Sequence, residues 1–239
     1  DGTVVFTNVA SDLVTINQTT DLGTVNIGYA AGAAATVNYD FDGATGIVGN
    51  TSTTFSNVAN LTIDGDATYA VDLVSLTGGS ALRTLTIATD ATSKLDTGAI
   101  VAAGMTTLTT TGTTGETAIG AITAAALTDV SITTTTGAFG QVGAVAAAAL
   151  TNYAASTTTG ALTLGAVTVG ETASNPLKVV SYTSTTGTVT TGDITASAGT
   201  AATAMTSYTI TTGANTGAST YGALNLGADG TLGTYTITA

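Results

Sequence analysis

Leu127-Thr128-Asp129-Val130-Ser131-Ile132 is the stretch on which the reading of this chain turns, because its grammar returns along most of the sequence. With Leu127 as position p, apolar residues stand at p, p+3 and p+5, and Thr or Ser mostly fills p+4. The same spacing reads Val58/Leu61/Ile63, Leu82/Leu85/Ile87, Met105/Leu108/Thr110, Leu150/Tyr153/Ala155, Leu177/Val180/Tyr182, Met205/Tyr208/Ile210 and Leu232/Tyr235/Ile237. About eight copies recur at intervals of roughly 22 to 28 residues, the period of solenoids and other repeat arrays.

Each copy carries a second half. A Thr-rich run leads to a glycine, then a short apolar stretch, then a second glycine. Thr136-Gly137-Ala138-Phe139 leads to Gly143-Ala144-Val145, Thr159-Gly160-Ala161-Leu162 to Gly165-Ala166-Val167, and Thr186-Gly187-Thr188-Val189 to Gly192-Asp193-Ile194; looser versions end at Gly120 and Gly222. Glycine at a fixed phase suits a corner, because it accepts positive φ without strain. Alternation on either side of it reads as strand. The unit is therefore strand, corner, strand, corner, and stacked units bury a Leu/Val/Ile/Ala column that one unit cannot bury alone. The fold class is all-β: a β-solenoid, like a parallel β-helix, of about eight to ten coils.

Outside this regular region, residues 1–57 form an irregular N-terminal part that is continuous with the regular solenoid of residues 58–239 in one elongated domain. The phrase Phe6-Thr7-Asn8-Val9-Ala10 returns as Phe55-Ser56-Asn57-Val58-Ala59, with strands also expected at residues 24–27 and 36–41. Residues 91–103 and 144–150 are Ala-rich enough to hide a short helical turn. Pro176 stands at the start of a strand, where a missing N–H costs little.

Composition excludes more than it assigns. The 239 residues include neither Cys nor His, and only 8% are charged, for a net charge of −12. No disulfide framework, thiol site or Ser/His/Asp triad is available. Arg83, Lys94 and Lys178 are the only basic residues, too few and too dispersed for a nucleic-acid surface. No apolar run approaches the ~18 residues of a membrane span. The acids are scattered without a convergent pair for acid/base work, so the expectation is a non-enzyme. Low complexity alone suits disorder; the periodic apolar pattern argues against it.

Two polar features remain. Asp40-Phe41-Asp42-Gly43 and Asp64-Gly65-Asp66 set carboxylates two apart beside a glycine, the spacing by which a turn offers oxygens to calcium; Asp-Gly is equally an ordinary turn. Asp40, Asp42, Asp64 and Asp66 are therefore the candidate calcium ligands. The second is a hydroxyl ladder at p+4, flanked by Thr at p+2 and p+6. It reads as a solvated β surface or, in a sharper alternative, as a flat array that orders water in the manner of ice-binding solenoids. Asn17-Gln18-Thr19, Asn50-Thr51-Ser52 and Asn60-Leu61-Thr62 match the glycosylation triplet. The last strand, with Thr234, Thr236 and Thr238, has no blunting charge or proline along it and reads as a self-assembly edge.

A Thr/Ala/Gly-rich chain without Cys, carrying phrases such as Phe55-Ser56-Asn57-Val58-Ala59-Asn60-Leu61-Thr62-Ile63-Asp64-Gly65, resembles bacterial surface-layer proteins of the Caulobacter type and related RTX-type surface proteins exported by type I secretion. The resemblance implies a secreted, calcium-dependent β-solenoid that tiles a lattice of its own copies on the cell surface, with surface polysaccharide as a further partner. The nonapeptide calcium repeats of such proteins are missing here. Adhesin stalks and ligand-binding solenoids are the competing class.

Overall fold

The computed structural model describes the chain apart from residues 1, 12, 31–34, 42–47, 66–69, 90–93, 137–138, 170–176, 197–203, 215–216 and 228–229. The described residues are strands and connections, without a helix. Ten parallel strands stack into one long face: Leu13–Asn17, Ala35–Asp40, Val58–Asp64, Thr84–Thr89, Thr107–Gly112, Asp129–Thr134, Asn152–Thr157, Val179–Ser184, Ala204–Thr212 and Thr231–Thr238. At the usual strand spacing this face is about 43 Å tall. The expected β-solenoid is the observed fold.

Register follows the repeat. Val14, Val37, Leu61, Leu85, Leu108, Val130, Tyr153, Val180, Tyr208 and Tyr235 are successive Cα partners across the ten strands. A one-residue slip would turn this column out to solvent, so the apolar phase fixes the pairing. Volumes are balanced between columns. Tyr153 shares its coil with the small Ala155, and Tyr182 stands above that alanine in register, its ring 5.7 Å from the Tyr153 ring and edge-on to it. Large beside small is how a close-packed interior fills without voids.

The rest of each coil differs from the two-strand unit expected from sequence. Early in the chain Thr3–Val9, Leu22–Tyr29 and Val48–Ser56 are undivided strands. Val48–Ser56 then pairs with two separate strands, Val71–Leu73 and Ser75–Gly78, which are parted by a bend at Val74. From there to the coil that begins at Val179 each coil has three strands, and in the next coil a single bridge, Thr190 with Thr220, takes the place of the middle strand. A middle face continues through Lys94–Asp96, Glu116–Ile119, Phe139–Val142, Leu162–Leu164 and Val189–Thr191. A short face continues through Ala99–Val101, Ile122–Thr123, Val145–Ala146, Val167–Thr168, Ile194–Thr195 and Leu224–Asn225. Residues 94–103 and 144–150 of the Ala-rich runs hold short strands and turns where a helical turn was considered. Pro176 lies outside the described residues.

Glycines mark the corner between the middle and short faces, for a reason other than the one expected. Among the described glycines only Gly98 (φ +57°) and Gly227 (φ +85°) have positive φ. Gly120, Gly143, Gly165, Gly192 and Gly222 are needed for closeness instead. A Cβ on Gly165 would lie 2.5 Å from the Gly143 carbonyl carbon, and one on Gly222 would lie 2.3 Å from that of Gly192. Backbone rests on backbone in this column, and no side chain fits between. Positive φ falls instead on Asn8 (55°) and Asn57 (58°), the asparagines of the repeated Phe-x-Asn-Val-Ala phrase. Asparagine tolerates this region better than other non-glycine residues, and it turns the undivided strand toward the long face.

Candidate assembly surfaces and acidic ranks

The long-face strands bring part of the acidic pattern together. Asp40 and Asp64 are partners in parallel register, in a rank that runs Asn17, Asp40, Asp64, Ala88. Both sit at the outward p+6 phase and are half-buried. Two carboxylates directly opposite repel, and a divalent cation bridging them would remove that cost. Asp42 and Asp66 lie outside the described residues. Among the described residues, no three His, Cys, Asp or Glu side chains gather. The Asp40–Asp64 pair would by itself offer only a fraction of the roughly six to eight oxygens that calcium takes.

Beneath this rank lies a polar cluster that the repeat grammar does not announce. Gln18 (3% exposed) and Asn50 (2%) are buried with Tyr39 and Thr53. Turned so that its oxygen accepts from the Tyr39 hydroxyl at 2.6 Å and the Thr53 hydroxyl at 3.3 Å, the Asn50 side chain donates through its nitrogen to the Leu22 carbonyl at 3.0 Å. Gln18 Nε2 donates to the Thr20 carbonyl at 2.8 Å, and the Gln18 side chain also meets the Tyr39 hydroxyl. Burial pushes the Tyr39 phenol up to about 12, against the opposing pull of its hydrogen bond with Asn50. The one signal in the sequence was Asn50, which stands in register with Leu22 and Leu73.

Above that cluster, where the undivided strand gives way to two, Asp21, Gly49, Asn50, Thr51, Asp72 and Val74 line an open cleft of about 260 Å³. The Gly49 N–H donates to Asp21 Oδ1 at 2.7 Å, which fixes one carboxylate at the rim. The cleft offers acceptor oxygens and no nucleophile–base pair. A second unannounced set is the inward p+7 rank, Thr89, Thr134, Thr157, Ser184 and Thr212, all buried. Ser184 Oγ donates to the Gly187 carbonyl at 2.7 Å, and the Gly160 N–H donates to Thr157 Oγ1 at 3.2 Å. The Thr157 and Ser184 hydroxyls thus hold the corner that leaves the long face in their coils.

The three basic residues stitch neighbouring coils. Arg83 Nη1 donates to the carbonyls of Ser80 (2.9 Å) and Gly104 (2.7 Å). Lys178 Nζ donates to the Ala204 carbonyl at 3.2 Å. Lys94 lies 3.7 Å from Glu116 and 3.9 Å from Asp96, exposed pairs that add little stability. Of the glycosylation triplets, Asn17 and Asn60 are exposed, while Asn50 is buried and bonded and cannot accept a glycan in the folded chain.

At the two end coils of the described structure, residues of the inward phase meet solvent. Tyr235 is 57% and Ile237 40% exposed at one end, and Phe6, in register with the buried Ile27, is 46% exposed at the other; Val5 and Leu13, also exposed there, pair with Asn26 and Thr36 of the outward phase. Tyr235 stacks on Tyr208, with centroids 5.4 Å apart and planes 5° from parallel. Thr234, Thr236 and Thr238 stand on the same last strand, in register with Ser207, Thr209 and Thr211. They face outward, so the end surface itself is made of Tyr235, Ile237 and the strand's backbone edge. Comparison of the chain with protein-family models, curated proteins and solved structures gives no match.

Proposed function

We propose that this chain is a structural protein of the cell exterior, and that copies of it assemble through the ends of the solenoid into a surface layer or filament, with calcium bridging the Asp40–Asp64 rank. The observation that carries this reading is the parallel ladder of ten long-face strands, since the backbone edge of such a ladder is a ready template for pairing with a further strand. A parallel strand added there would find the hydrogen-bond pattern already used between every pair of coils. A contact of one end with the other is heterologous, and such contacts propagate into fibres or lattices when they do not close. The net charge of −12 works against contact between copies, and bound calcium would reduce it. Secretion and cell-surface polysaccharide as a further partner belong to the same reading, and they rest on the resemblance in composition and coil grammar.

The test uses the full natural protein, with and without calcium, followed by sedimentation velocity and electron microscopy. Wild type is expected to form ordered arrays, more readily with calcium. Thr234→Lys with Thr236→Lys places two charges along the last strand and is expected to block assembly while the far-ultraviolet circular dichroism stays unchanged. A wild-type protein that remains monomeric with calcium present overturns the structural reading. A double variant that still forms the native array moves the contact away from this end.

A further inference from the structure

The outer side of the long face carries an array that self-assembly through the ends does not use. From Thr107–Gly112 onward, two outward columns run side by side through six coils in unbroken register. One is Thr109, Ser131, Ala154, Ser181, Thr209 and Thr236. The other is Thr111, Thr133, Ser156, Thr183, Thr211 and Thr238. Eleven of these twelve positions bear a hydroxyl, and none bears a charge or a ring. Every one is exposed or half-buried.

Geometry makes this strip a lattice. Residues two apart on a strand are separated by about 6.7 Å, and neighbouring strands by about 4.8 Å. The parallel register repeats that cell without a shift from Thr109 to Thr236. Threonine is stiff at χ1, because two heavy atoms share its Cβ, so its hydroxyl and methyl hold fixed places. Within the strip, among the described residues, Ser156 Oγ pairs with Thr133 Oγ1 at 3.4 Å, and the other hydroxyls are left to solvent. Water on this surface therefore meets a rigid, neutral, two-dimensional grid of donors and acceptors separated by methyl groups. Water bound at such fixed spacings is ordered in advance, and the entropy cost of ordering it at binding falls accordingly.

The chemistry of the strip selects its occupant. A polysaccharide surface is recognised with aromatic platforms or charged side chains, and the strip has neither. An ionic or acidic partner finds no complementary charge. What matches is a solid whose own surface is a periodic array of hydroxyls, namely ice. We propose that the outer strip of the long face, from Thr109 and Thr111 to Thr236 and Thr238, is an ice-binding surface. This activity is independent of end-to-end assembly.

The experiment freezes a solution of the fluorescently labelled full-length protein onto a cooled probe and measures its capture into the growing ice. Recrystallisation of a fine-grained frozen film is followed in parallel. Wild type is expected to adsorb to ice and hold the grains small. Thr133→Lys with Thr183→Lys puts two charges in mid-strip, away from both ends, and is expected to abolish both effects. Thr123→Lys with Thr168→Lys, on the exposed short face, is expected to preserve them. Circular dichroism shows that each pair folds. Should the first pair not fold, Thr133→Val with Thr183→Val removes the hydroxyls at nearly constant shape and is expected to weaken capture. Exclusion of wild type from ice overturns the proposal, as does equal capture of wild type and the folded mid-strip variant. Capture by insoluble cellulose or chitin without capture by ice reassigns the strip to polysaccharide and also overturns it.

Discussion

Replacing Gly165 by alanine tests the architecture at its tightest point. The new Cβ would stand 2.5 Å from the Gly143 carbonyl carbon and 2.6 Å from its oxygen, where non-bonded carbons need about 3.5 Å. Both neighbours are backbone, so relief requires the two coils to part locally by about 1 Å. The Gly165 N–H to Val142 carbonyl bond, 2.7 Å, and the Gly192 N–H to Leu164 carbonyl bond, 2.7 Å, flank the site and would stretch. Each is worth about 1 kcal/mol net, and overpacking strain adds about 1–3 kcal/mol. The loss of freedom in the unfolded chain returns about 0.4–1 kcal/mol. The expected net destabilisation is about 2–4 kcal/mol. Gly79→Ala is the control, because a Cβ there meets nothing closer than the Phe55 carbonyl oxygen at 3.6 Å, and it should be neutral or slightly stabilising. Urea unfolding followed by circular dichroism reads both variants. If Gly165→Ala unfolds at the same urea concentration as Gly79→Ala, the glycine column is not a steric requirement and the reasoning fails.

Two further outcomes follow from the buried polar groups. Burial raises the phenols of Tyr39, to about 12, and of Tyr153, Tyr182 and Tyr208 above the ordinary value of 10.0. The folded state therefore favours the neutral phenol. Its contribution is fully present below pH 10 and is lost as pH rises from there toward the folded values, so tyrosinate absorbance should climb together with unfolding; smooth titration of all tyrosines in a chain that stays folded would contradict this burial. Asn50→Ala leaves the Thr53 hydroxyl without its side-chain acceptor and the Leu22 carbonyl without the amide donor, while the Tyr39 hydroxyl keeps Gln18; it should cost about 1–3 kcal/mol in the same urea assay, whereas an unchanged midpoint would mean that water replaces the amide.

The long face was legible because its information is one-dimensional. Apolar residues at p+3 and p+5 specify which side of a strand is buried, and the recurrence of that pattern specifies which strands are neighbours. Val130 and Tyr153 could be set in register without knowing anything else about either coil. The middle and short faces were harder to read. Strands of two or three residues, such as Ile122–Thr123 and Val167–Thr168, carry too little alternation to show a period. The glycines between the faces were visible, but their cause was not, since a positive φ and a close backbone approach both select the same residue. The calcium candidates were half legible: the two-residue spacing within each turn was plain, whereas the pairing of Asp40 with Asp64 depends on a register between strands. Gln18 and Asn50 were the least legible. Their burial depends on three segments meeting, and no local pattern encodes that.

Coil length and coil register are uncoupled in this molecule. Val130 and Tyr153 are partners, as are Val180 and Tyr208, although the second pair is separated by the longer stretch of sequence. The ladder counts strands, and the residues between the short face and the next long-face strand do not alter its phase. Successive coils can therefore differ in what they carry at this one corner while remaining interchangeable as building blocks. New sequence inserted there would be repeated up the side of a rod at intervals of about 4.8 Å, at a height set by which coil receives it. A fold of this kind acts as a ruler as well as a scaffold: it converts position along a gene into position along an axis.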